Sequence, residues 1–185
     1  MNEFLLSNKK KADSIYPSGL GGTWDINWPG SNLVTFSEGN LRVEVAGNRT
    51  TGSTNKIQTG NARYFEILVE PWPSSYGPLI GIVPPGGNYG VPGSITIWVG
   101  SGSGTQIFIG NAPAAAYGFP IIGGDIVGVL TDLEVTNRVT FFKNGTTMGT
   151  VDSVLTLPEY HAYTASPGGV YPYTAKANFG ALPFM

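Results

Sequence analysis

The sequence predicts an all-β fold, a two-sheet antiparallel β-sandwich of the jelly-roll kind. Three observations carry that prediction. Short apolar runs with strand-like alternation recur at close spacing along most of the chain. The 27 glycines and 14 prolines cluster between those runs, where turns need them. No stretch shows the 3.6-residue apolar period with end caps that a helix requires. At 185 residues the chain suits one domain with a substantial core.

Taken in order, residues 1–20 read as an arm and residues 21–185 as the sandwich domain. The arm holds Phe4, Leu5 and Leu6, then Lys9, Lys10 and Lys11, then Pro17. A secretion leader places its positive charge before a longer apolar stretch, so none is expected. Leu41 to Val45 alternates apolar and polar, as a half-buried strand does. Ala46 to Thr59 is polar and reads as a loop with room for a short strand. Arg63 to Glu70 is a strand with Phe65, Ile67 and Val69 on one face and Tyr64, Glu66 and Leu68 on the other. Pro71-Trp72-Pro73 ends it.

Leu79 to Val83 is a short buried strand. Ser94 to Val99 and Thr105 to Ile109 form a hairpin around the glycine-rich segment 100–104, with Ile95, Ile97 and Val99 opposed to Thr96 and Trp98. Gly124-Asp125 leads into a strand from Ile126 to Asp132. Arg138 to Lys143 turns at Asn144-Gly145, a tight-hairpin signature, into Thr147 to Val151. Tyr160 to Ala165 and Thr174 to Phe179 complete the set.

Composition excludes several function classes. Charged residues make up 12% of the chain, against about 25% in an average soluble protein. The surface must therefore be small-polar and aromatic, or partly covered by partners. A net charge of −2 provides no field for nucleic acid. The absence of cysteine removes disulfides, thiol chemistry and cysteine zinc sites. No segment reaches the roughly 20 apolar residues of a membrane-spanning helix, so membrane insertion is not expected. Asn48-Arg49-Thr50 and Asn144-Gly145-Thr146 match the glycosylation pattern, which matters only in a secretory pathway.

From residue 60 onward the chain carries an ordered series of short motifs. They are Arg63-Tyr64-Phe65-Glu66-Ile67, Gly124-Asp125-Ile126-Val127-Gly128 with Asp132, Phe141-Phe142-Lys143-Asn144-Gly145, and Asn178-Phe179-Gly180. This order resembles the SPRY family. The resemblance implies a concanavalin A-like sandwich acting as an interaction module through loops at one end. The Gly/Pro/Ala-rich stretch Pro84 to Pro120 departs from the usual animal members, and the segment Thr35 to Thr59 resembles a standalone form of phage and bacterial proteins. Locally, Gly81 and Gly128 allow close packing, and Asp125 fixes a turn through backbone amides. Phe141, Phe142 and Phe179 supply apolar surface between the sheets.

Catalytic and metal chemistry find little footing. Glu66 and Glu70 share a strand face, but four residues span roughly 13 Å, beyond a glycosidase carboxylate pair. Asp125, Asp132 and Glu134 are the nearest approach to a calcium set, Asp132 and Glu134 sharing a strand face, but Asp125 reads better as a strand start and Asp132 as a strand end. His161, the sole histidine, stands without a nucleophile motif. Neither metal nor cofactor is expected. The glycine-rich segments lack a phosphate loop's Lys-Ser/Thr ending.

The functional lead is the set of aromatics placed in Pro/Gly-rich loops: Trp72, Tyr76, Tyr89, Tyr117, Tyr171 and Tyr173. Such side chains give large contact area at low entropic cost. The sequence therefore reads as a noncatalytic binding and assembly module, a structural, decoration or tail component of a phage-like virion. Its expected partners are other virion proteins or copies of itself, with surface glycans as a further possibility. Phe4 to Leu6 and Lys9 to Lys11 would dock the arm. A lectin-like domain and a cytoplasmic peptide-binding adaptor are the alternatives.

Overall fold

The computed structural model describes residues 21–46, 49–58, 62–72, 76–100, 104–112, 115–133, 136–152, 154–166 and 172–180, with only the backbone of Tyr76. Among these residues the regular structure is all strand. The strands are β1 (Val34–Ser37), β2 (Arg42–Val45), β3 (Thr50–Gln58), β4 (Arg63–Val69), β5 (Tyr76–Val83), β6 (Ile95–Gly100) and β7 (Gln106–Ile109). They continue with β8 (Ala115–Ala116), β9 (Ile126–Asp132), β10 (Arg138–Lys143), β11 (Thr146–Val151), β12 (Glu159–Ala165) and β13 (Tyr173–Asn178).

Two antiparallel sheets result. The first has the order β1-β2-β13-β4-β9-β10-β11, and the second β3-β12-β5-β6-β7-β8. The two-residue period of the sequence sets which side chains meet between them. Val43 and Val45, Phe65, Ile67 and Val69, and Val127 and Val129 point inward from the first sheet. Ile80 and Ile82, and Ile95, Ile97 and Val99, point inward from the second. All of these are fully buried. Trp24 and Phe179 close the core edge-to-face at 5.0 Å.

The outer face of the second sheet carries a smaller core of its own. Leu79, Val83, Tyr163 and Ala165 alternate with the inward residues of β5 and β12, and Trp28 lies over them. Tyr89, Trp98 and Phe108 pack half-buried against this layer. Gly52 is the seat of Trp28: a Cβ there would stand 2.6 Å from the indole ring. The segments around Trp28 and Tyr89 thus fold back over the sheet instead of projecting from it.

Four local expectations change. Thr50 to Gln58 forms a nine-residue strand where the sequence reads as a loop with at most a short strand, although Ile57 is its sole large apolar residue. Hydrogen bonding holds it. It pairs with β12, and residues 23–25 run along its other edge, with a Trp24–Ser53 bridge and Asp25 N donating to Gly52 O at 2.8 Å. Val34–Ser37 and Ala115–Ala116 add two strands too short for a periodic signal. Tyr173 begins β13, facing the core. Phe142 does not join Phe141 between the sheets. Adjacent strand residues face opposite sides, and Phe142 packs outside against Tyr64 with centroids 6.0 Å apart.

Candidate functional site

At one end of the sandwich, the segment from Tyr117 to Asp125 meets the β10–β11 turn. Asn144 and Gly145 adopt φ of +48° and +78°, the left-handed pair of a two-residue hairpin turn. That turn directs the Asn144 side chain toward Asp125 while the residue itself stays exposed. Its Nδ2 donates to Asp125 Oδ1 at 2.8 Å, and its Oδ1 accepts from Ile126 N at 2.8 Å. Asp125 Oδ2 accepts from Ile122 N at 2.8 Å and pairs with Lys143 Nζ at 3.0 Å. Lys143 Nζ also donates to Pro120 O at 2.7 Å. Thr105 Oγ1 fastens Phe119 O at 2.6 Å.

Burial alone would raise the Asp125 carboxyl, but the Ile122 amide, Lys143 and Asn144 outweigh it and hold it below its ordinary value. This clamp fixes the backbone under two apolar side chains that face solvent. Phe119 is 54% exposed and Ile122 55%. Together with Pro120, Lys143, Asn144 and Thr146 they line an open hollow of about 510 Å³. Ligand sites are typically ~300–1,000 Å³ and largely apolar with few polar groups. The Lys143 ammonium is matched by Asp125, and Phe119 and Ile122 leave the solvent-facing lining mainly apolar.

The aromatics chosen from sequence do not form one surface. Trp72 is half-buried against the main core at this same end, its indole fitted over Gly77, and its buried Nε1 has no hydrogen-bond partner among the described residues. Tyr117 packs edge-on to Phe141 at 5.8 Å, and its buried hydroxyl also lacks a partner among the described residues. Burial pushes that phenol up to about 12. Tyr89 lies over the second sheet, T-shaped to Phe108 at 6.3 Å. Tyr173 is 4% exposed, its hydroxyl 2.6 Å from Thr164 Oγ1. Tyr76 opens β5 opposite Gly100, but its side chain lies outside the described residues, as do Tyr171 and the arm residues Phe4, Leu5, Leu6, Lys9, Lys10 and Lys11. Phe119 and Ile122 escaped sequence reasoning. Their signal was the run Phe119 to Ile122, apolar yet flanked by turn residues.

The carboxylates considered for chemistry have structural partners. Glu66 is 4% exposed and accepts from Tyr64 Oη at 2.8 Å and Asn178 Nδ2 at 3.3 Å. Glu70 lies just past β4 and takes a two-pronged bond from Arg42, 2.8 and 2.9 Å, which lowers its pKa. Asp132 accepts from Thr136 at 2.9 Å, and Glu134 lies outside the described residues. His161 is buried against Trp28, its Nδ1 2.7 Å from Ser53 O. Among the described residues no three His, Asp or Glu side chains gather as a metal set.

No protein-family model and no curated protein matches the sequence. Solved structures do match. A human SPRY domain aligns over 82% of this chain and 98% of its own, at 16% identity and a TM-score of 0.63. The SPRY domain of human HERC1 covers 88% and 97%, at 10% identity and 0.65. Stonustoxin aligns over 88% of this chain but 30% of its own, at 14% identity and 0.65. Such identities speak to architecture alone. The chain has the two-sheet, concanavalin A-like sandwich fold of SPRY domains.

Proposed function

We propose that this chain is a noncatalytic protein-binding module that takes an apolar side chain of its partner into the Phe119–Ile122 hollow. The observation that carries this reading is solvent-facing Phe119 and Ile122 on a backbone clamped by Asp125, Lys143 and Asn144. A fixed backbone avoids the ordering cost that weakens binding by loops. SPRY domains generally act as interaction modules, and the shared fold supports the same use here.

A random-peptide display library tests it. Selected peptides should share a large apolar residue. Covering the half-exposed Phe119 and Ile122 is worth about 1 kcal/mol each, so Phe119→Ala with Ile122→Ala should weaken those peptides about tenfold or more. Peptides that bind the double variant as well as the parent would refute the hollow as the site. A glycan array that responds where peptides do not would move the reading to a lectin-like one.

A further inference from the structure

Each sheet has two edges, and an edge strand exposes unpaired backbone groups that can recruit another strand. Three of the four edges here are blunted. Residues 23–25 run along β3, joined to it by the Trp24–Ser53 bridge and by Thr54 N donating to Thr23 O at 2.8 Å. β8 has two residues. β11 is bulged, its pairing with β10 shifting between Phe141 and Phe142.

The fourth edge, β1, is short at four residues but among the described residues is neither covered nor bulged. Val34–Ser37 pairs with β2 in unbroken register. The run Ser31-Asn32-Leu33-Val34-Thr35-Phe36-Ser37 contains no charge and no proline. Leu33 beside it is 56% exposed, and Val34 and Phe36 are incompletely covered at the margin of the main core. Val34 N bonds back to Ser31 O at 2.9 Å. That residue therefore turns its backbone groups away from β2, and the two-residue alternation turns those of Phe36 the same way.

We infer that β1 is a self-association edge, where a second copy of this chain adds its own β1 antiparallel about a twofold axis at Thr35. The register follows from the faces. Val34 stands opposite the partner's Phe36, both on the core side, with Thr35 opposite its own copy outside. Phe36 N donates to the partner's Val34 carbonyl, twice by symmetry. An antiparallel edge is complementary to itself, which is why a second copy is the occupant. An uncharged strand brings no like charges together across the axis. This inference does not depend on the hollow, which lies on the loops that flank β9 and β11.

Light scattering on the full chain, from about 1 µM to 1 mM, reads the assembly directly, a range in which contacts of modest size dissociate. The molar mass should climb toward twice the monomer value. Thr35→Lys places an ammonium against its own copy at the axis while facing Glu44 on β2, so the monomer stays folded. It should raise the dissociation constant at least tenfold, with an unchanged urea midpoint at low concentration. Thr147→Lys on β11 should leave association as it was. A chain that stays monomeric throughout, or one whose association resists Thr35→Lys, overturns the inference. Loss of association in Thr147→Lys alone overturns it too, by moving the contact to β11.

Discussion

Asp125 shows how one side chain can hold a binding surface in place without touching a ligand. Its carboxylate accepts from Ile122 N, Asn144 Nδ2 and Lys143 Nζ at once. Asp125→Ala leaves those donors without their acceptor, and buried unmade bonds cost about 1–3 kcal/mol each set. The pH dependence has a definite sign. A carboxyl held below its ordinary 3.8 stabilises the fold at neutral pH. That stabilisation is lost as pH falls from 3.8 through the lower folded value. Urea midpoints at pH 7 and pH 3 should converge between the parent and Asp125→Ala, and parallel profiles would show the clamp to be unimportant. The turn-fixing role of Asp125 was legible from Gly124-Asp125, because turn chemistry is local. The exposure of Phe119 and Ile122 was not, because it depends on which strand ends surround the loop.

At the scale of elements, legibility followed apolar alternation. β4 and β6 alternate clearly, and their faces stand where the pattern put them with ranges within one residue, while β9 and β10 keep the expected ranges. β3 has no such pattern, because its residues are held by β12 on one side and by residues 23–25 on the other. The layer outside the second sheet was equally hidden, since nothing in the sequence says that Trp28 will lie on Gly52. Gly52→Ala tests that layer. The added methyl would stand 2.6 to 2.7 Å from three ring carbons of Trp28, too close for the indole to remain. Lifting the indole off re-exposes apolar area worth about 2–3 kcal/mol. The urea midpoint should fall accordingly, and tryptophan emission should shift to the red. In a Trp28→Ala background the same Gly52→Ala change should cost little, because the pair is then uncoupled. Equal costs in both backgrounds would show that Gly52 matters for another reason.

For the whole molecule, the packing of tyrosines into both cores sets an alkaline limit on stability. Burial raises the phenols of Tyr117, Tyr163 and Tyr173, Tyr117 to about 12 and the other two well above the ordinary value. Above the ordinary value of 10 the unfolded chain releases these protons while the folded chain keeps them. Stability is therefore full below pH 10 and falls as pH rises toward the raised folded values. Urea midpoints measured from pH 9 to pH 12 should trace that fall. Phenolate absorbance should show the three tyrosines ionising only as the protein unfolds. Two substitutions separate burial from hydrogen bonding. The Tyr117 hydroxyl is buried without a partner among the described residues, so Tyr117→Phe should leave stability at pH 7 within about 0.5 kcal/mol or raise it, and should flatten the alkaline fall. The Tyr173 hydroxyl meets Thr164 at 2.6 Å, so Tyr173→Phe should cost about 1 kcal/mol at pH 7 while flattening the fall in the same way. If Tyr117→Phe costs as much at neutral pH as Tyr173→Phe, the Tyr117 hydroxyl has a partner in solution, and the end of the sandwich beside the hollow is wetter than its packing implies.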